Sequence, residues 1–191
     1  MASGILRSGG RVQRLIVTGA NGAGKSHVAA RLSAERPDIP LVCFDSIKLL
    51  EGWRQRPRPE IDAELSRVVA GEAWILEGGP SLLRQALPRA QAVLWLDPPE
   101  VTRAWRLMIR PWRTLGRTRP ELPEGNPDWP LQQYRFAIRS LRNGARFRRI
   151  VADALDGANV LEGDVVLWRC RTARQVDAAI HAWGRAAGRA P

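Results

Sequence analysis

The run Gly19-Ala20-Asn21-Gly22-Ala23-Gly24-Lys25-Ser26 sets two glycines, a lysine and a hydroxyl in the spacing G-x-x-x-x-G-K-[ST], directly after an apolar run and before a helical pattern. Glycines let the backbone curl tightly enough for successive N–H groups to face phosphate oxygens, and a following helix adds its positive N-terminal end. Lys25 then reaches the outer phosphates, the Ser26 hydroxyl ligates Mg²⁺, and the backbone from Gly19 to His27 forms the cradle. The ligand this chemistry calls for is a nucleoside triphosphate, with ATP and Mg²⁺ as the expected cofactors.

Acidic residues follow three of the apolar runs: Asp45, Glu77 and Asp97. On the carboxyl edge of a parallel sheet they would share the ligand-binding side with the phosphate loop. Asp45 could hold an acceptor hydroxyl or act as its base. Glu77 could hold the metal or its waters. Asp97 precedes two prolines and could instead cap the next helix. Arg103, Arg106, Arg110 and Arg113 recur at steps of three and four, as do Arg135, Arg139, Arg142 and Arg146, so each set shares a helix face. Two arginine faces around a proline-rich segment predict a clamp on phosphate, because a guanidinium binds phosphate oxygens bidentately; Arg106 and Arg110 lie nearest the sheet edge. With only His27 and His181, a histidine triad or histidine metal site has little to draw on.

These groups need a scaffold. The apolar runs at 15–18, 40–44, 73–76, 92–96 and 165–168 lack strict alternation, as suits strands covered on both faces. Helical spacing is expected at 24–34, 60–70, 100–115, 131–143 and 173–187. Residues 116–130 hold Pro120, Pro123, Pro127 and Pro130 and read as a loop within a lid at about 111–134. The reading is a three-layer αβα sandwich with a five-stranded parallel sheet: a tail at 1–12, then one domain at 13–191. Trp53, Trp112 and Trp129 read as loop residues able to stack on a base or pack under the lid.

The chain has 191 residues, 45% of them hydrophobic, which supports a sizeable core and argues against disorder, collagen or a disulfide scaffold. No run approaches the roughly 18 apolar residues of a membrane span, and no membrane partner is expected. No secretory signal is evident either, so the expected location is cytoplasmic. Of the 30 basic residues only Lys25 and Lys48 are lysines, and the net charge is +11. Residues 103–149 hold twelve arginines against Glu121, Glu124 and Asp128, which concentrates the charge there and points to an anionic partner.

The run from Val17 to Ser26, with Val42-Cys-Phe-Asp45, Gly52-Trp53, Trp74-Ile-Leu-Glu-Gly-Gly79, Val93-Leu-Trp-Leu-Asp97, the Arg106/Arg110 pair and residues 116–125, resembles the adenylate-kinase-like bacterial proteins labelled topology modulation proteins, over about residues 13–183. The resemblance implies a P-loop kinase fold with strand order 2-3-1-4-5, in which Gly19, Gly24, Lys25 and Ser26 match the phosphate loop, Glu77 the metal-associated carboxylate, and Arg106 and Arg110 the arginines leading into the lid. Glu77 stands where such kinases generally have Asp, and His27 where a second hydroxyl commonly follows. That order puts Cys43 and Cys170 roughly 19 Å apart at about 4.8 Å per strand, so both are expected as free thiols. The function expected is transfer of the ATP γ-phosphate to a small-molecule acceptor, nucleotide-like or hydroxyl, by a monomer or weak homodimer. A nucleic-acid-associated NTPase and a non-catalytic ATP-binding regulator are the alternatives.

Overall fold

In the computed structural model, which describes residues 12–116, 118–119, 122–127, 129–157 and 165–185, the five apolar runs form one sheet. Its strands are β1 (Arg14–Gly19), β2 (Leu41–Cys43), β3 (Trp74–Gly78), β4 (Ala92–Leu96) and β5 (Val166–Cys170). The helices are α1 (Lys25–Glu35), α2 (Phe44–Lys48), α3 (Arg58–Ala70), α4 (Leu83–Ala86), α5 (Glu100–Arg113), α6 (Pro130–Arg142), α7 (Gly144–Gly157) and α8 (Ala173–Arg185). The strand order is β2-β3-β1-β4-β5 and every pairing is parallel, the P-loop NTPase arrangement expected from the sequence.

The central strands are apolar throughout because both faces are covered. Leu15, Val17, Ile75 and Leu94 pack under α1 and α8 with Val28, Leu32, Ile180 and Trp183. On the other face Ile16, Leu76, Val93 and Trp95 meet Phe44, Leu65, Leu82 and Val151. Trp183 is fully buried, its indole N–H donates to the Leu32 carbonyl at 3.1 Å, and the Arg36 guanidinium lies 5.1 Å from its ring centre.

Three local departures bear on the site. β2 stops at Cys43 and buried Phe44 opens α2, with the Ser46 hydroxyl donating to the Cys43 carbonyl at 2.6 Å. Asp45 therefore sits in the first turn of a short helix, not at a strand end. Helix α7 was not expected at all. Its signal is the four-residue spacing of Phe147, Val151 and Leu155, and its first residue is a glycine because a Cβ at 144 would run into Glu100 Oε1. Residues 1–11 of the expected tail lie outside the described residues, and Val12, its last member, is buried with its carbonyl accepting from Arg36.

Candidate active site

β1 delivers the chain into the phosphate loop with its final residues wholly buried, so the curl starts from a fixed point. Gly22 (φ 79°) and Gly24 (φ 98°) take left-handed conformations that side chains rarely adopt. A Cβ on Gly22 would also lie 2.8 Å from Leu107 Cγ, so that position is closed to larger residues. Helix α1 begins right after Gly24 with no side-chain cap, which leaves its first-turn N–H groups directed at the loop.

A cavity of about 350 Å³ opens over this loop. Asn21, Gly22, Gly24, Lys25, Ser26 and His27 line it from below, Asp45 from the first turn of α2, Glu77 from the carboxyl end of β3, and Arg106, Arg110, Arg113 and Arg119 from α5 and the loop after it. Gly19, Ala20 and Ala23 shape the loop from beneath, the last two being buried. Lys25 Nζ lies 3.9 Å from Glu77 Oε1, with the two side chains 14% and 6% exposed. Burial pushes the Lys25 ammonium below its ordinary value; Glu77 and Asp45 pull it back up, and Arg110 and Arg119 lower it further. An incoming polyphosphate would favour the charged form. Asp45, half-exposed, pairs with Lys48 at 3.3 Å.

The arginines divide by what their helices bury. Arg106 donates to the Ala23 carbonyl at 2.9 Å and Arg110 to Gln133 Oε1 at 2.6 Å, so both guanidiniums are oriented along the cavity wall. Arg103, on the same helix, is only 2% exposed and lies behind the loop. It donates to the Asn21 carbonyl at 3.1 Å, Glu100 Oε2 at 2.7 Å and Ser140 Oγ at 3.1 Å. The expected second wall from α6 does not form. That helix buries Gln133 and Ala137, so Arg135, Arg139 and Arg142 line a separate groove, and Arg146 lies on α7. Arg113 and Arg119 supply the remaining positive wall. Arg119 lies in the lid loop outside both arginine sets, and no local pattern marks it for this role.

The loop after α5 is fastened to the segment after β2. Buried Asn126 accepts the Trp53 backbone N–H and donates to the carbonyls of Leu50 (3.1 Å) and Pro123 (3.0 Å); the Gly125 carbonyl accepts from the Gly52 N–H at 3.2 Å. Trp53 itself is left-handed (φ 59°), a strained state for a side-chain-bearing residue, and its indole donates to the Pro127 carbonyl at 3.2 Å. Asn126→Ala leaves these partly buried groups without their partner. It should lower stability by about 2 kcal/mol and the unfolding midpoint by about 4–8 °C, with faster limited proteolysis between α5 and α6. An unchanged midpoint and cleavage pattern would show that the clasp holds nothing.

Other expectations resolve differently. Asp97 neither caps α5, whose N-cap is Pro99, nor lines the cavity. It is buried between Arg148 (2.8 Å) and Arg169 (2.6 Å), because α7 and β5 bring two guanidiniums to the end of β4. Trp112 is on α5 and not in a loop; its indole donates to the Tyr134 hydroxyl at 2.6 Å. Trp53 lies 6.3 Å from the Phe136 ring, and Trp129 precedes α6. The cysteines are as expected: both are free, on the two edge strands, and burial pushes the Cys170 thiol up to about 11.

The fold has counterparts among solved structures. A shikimate kinase from Bacteroides thetaiotaomicron matches 91% of this chain and 97% of its own at 16% identity, with a TM-score of 0.50. A gluconokinase from Sinorhizobium meliloti 1021 matches 92% and 95% at 16% identity and a TM-score of 0.47. A shikimate kinase from Acinetobacter baumannii in complex with shikimate matches 90% of each chain at 15% identity and a TM-score of 0.48. At such identities the likeness defines the fold, that of a P-loop protein. The sequence matches no protein-family model and no curated protein.

Proposed function

We propose that this protein is a small-molecule kinase that passes the γ-phosphoryl group of ATP to a hydroxyl or nucleotide-like acceptor. The observation that carries this reading is a single cavity holding the phosphate loop, a desolvated lysine, two carboxylates and four arginines. Its size, about 350 Å³, suits a polyphosphate tail and a small acceptor. The fold shared with the Bacteroides shikimate kinase and the sequence resemblance to adenylate-kinase-like topology modulation proteins support the same class.

Each residue has a role under this reading. Backbone N–H groups from Gly19 to His27 hold the β-phosphate, and Lys25 bridges to the γ-phosphate. Asp45 orients the acceptor hydroxyl and takes its proton as the acceptor oxygen bonds to phosphorus and the bond to the ADP oxygen breaks. Arg106 and Arg110 spread the charge of the phosphoryl group in transit. Among the described residues no three His, Cys, Asp or Glu side chains are grouped to hold a metal on their own. Ser26 and Glu77 on the cavity wall nevertheless fit Mg²⁺, which typically takes one or two protein oxygens and completes its shell with phosphates and water. Bound there, Mg²⁺ would neutralise charge on the phosphates.

The test is a panel of nucleosides, nucleotides and sugars scored for acceptor-dependent ADP release from Mg·ATP. At least one acceptor should raise release about tenfold or more over the acceptor-free rate. Absence of both ADP release and any thermal shift with Mg·ATP would overturn the proposal. Tight, steeply salt-dependent duplex binding that stimulates hydrolysis would replace it with a nucleic-acid-associated NTPase.

A further inference from the structure

Helix α5 buries Leu107 and Pro111 and yet leaves a second apolar face outside. Its arginines at 103, 106 and 110 turn toward the phosphate loop and α6, while Val101, Trp105, Met108 and Trp112, continued by Leu115 just past the end of the helix, recur at steps of four, three, four and three as an exposed apolar row. Trp105 is 58% and Trp112 68% exposed. The residues bordering the row on α5, Thr102, Ala104, Ile109 and Pro111, carry no charge. A helix on a globular surface ordinarily buries its apolar stripe, and a contiguous exposed one marks an interaction surface.

Helix α6 widens this face. It runs antiparallel to α5, with Ser140 beside Arg103 and Tyr134 beside Met108, which brings exposed Ile138 level with Trp105. Ile138 also lines a groove of about 370 Å³ with Arg135, Arg139 and Arg142. Among the described residues no carboxylate forms an ion pair with these three arginines. The face thus offers an uncharged aromatic and aliphatic band with unneutralised cations along one border.

We propose that this face docks on an anionic phospholipid bilayer, the row from Val101 to Leu115 entering the boundary between headgroups and acyl chains and Arg135, Arg139 and Arg142 pairing with lipid phosphates. Tryptophan is suited to that boundary because it joins an apolar body to a polar N–H, and arginines beside an apolar band find phosphates at the same depth. Charge complementarity favours this occupant. With a net charge of +11, much of it between 103 and 149, a second copy meets like charge, whereas an acidic bilayer attracts it. The proposal does not rest on the kinase reading: the cavity opens on the arginine side of α5, with Ile109 standing between it and the row.

The test is flotation of the full chain with vesicles of phosphatidylglycerol and phosphatidylcholine in equal parts, against phosphatidylcholine alone, with tryptophan emission followed in parallel. The protein should float with the acidic vesicles only, less so as salt rises, and its emission should shift to the blue. Trp105→Ser with Trp112→Ser should cut partitioning about tenfold or more, and replacing Arg135, Arg139 and Arg142 by Gln should remove the dependence on acidic lipid. Circular dichroism and unfolding midpoints report whether the variants fold. Should the double variant unfold through loss of the Trp112–Tyr134 bond, Trp105→Ser alone reads the same surface. Equal partitioning by wild type and variants overturns the proposal. So does a dimer that W105S dissociates without vesicle binding, or retention on single-stranded DNA without it.

Discussion

Lys25→Ala should cut acceptor-dependent ADP release by about 10²–10³-fold, the usual consequence of removing one preorganised donor from a site where charge develops. The structure gives the reason for the size. Lys25 is 14% exposed and sits 3.9 Å from Glu77, so its ammonium acts where water screens little. Arg110 and Arg119 already repel it. Lys25→Arg should not rescue, because a planar, longer cation would press into the same arginines. The pH dependence has a fixed sign. Burial holds the folded Lys25 below its unfolded value of 10.5, so in the window between the two values the unfolded chain carries the extra proton and the ligand-free protein gains stability as pH rises. Phosphate binding draws the proton back, so Mg·ATP affinity should weaken as pH climbs through that window. Calorimetry in two buffers of different ionisation heat should show proton uptake on binding to the wild type and less in the alanine variant. Normal turnover without Lys25 would remove the lysine, and the phosphate loop with it, from the chemistry.

What the sequence discloses about this site follows from how local each feature is. The tight turn after β1 is legible because its glycines mark its geometry: Gly22 and Gly24 stand at left-handed positions that few other residues could fill. β4 is found at 92–96 as expected because a strand buried on both faces needs an unbroken apolar run. Features that depend on distant partners are not legible. Asp97 resembles a cap until Arg148 and Arg169, 51 and 72 residues further on, close around it. The arginines of α5 and α6 share a spacing but not a role, because helix rotation is set by what packs beneath: Leu107 and Pro111 on one, Gln133 and Ala137 on the other. Asn126 has no local pattern at all, its partners at Leu50 and Trp53 lying more than 70 residues earlier.

Arg103→Met should lower stability by about 3 kcal/mol and the unfolding midpoint by about 6–12 °C, because it leaves the Asn21 carbonyl and the Ser140 carbonyl and hydroxyl, all partly buried, without their buried donor. Burial pushes the Arg103 guanidinium below its ordinary value while Glu100 pulls it back up, and it stays charged throughout. The remaining carboxylate of Glu100 is 41% exposed and keeps Arg148, so the stability loss stays below that of a fully buried broken pair. A structural role alone would end there. The contact to Asn21 predicts more, since Arg103 fixes a peptide plane of the phosphate loop from behind without lining the cavity. As a positioning residue it should govern nucleotide binding more than the chemical step: KM for Mg·ATP rising about tenfold with kcat falling much less, at a temperature where the variant is fully folded. An unchanged KM would confine Arg103 to holding α5 against α6. A matched fall in kcat would instead move it into the reacting centre, which its burial behind Asn21 argues against.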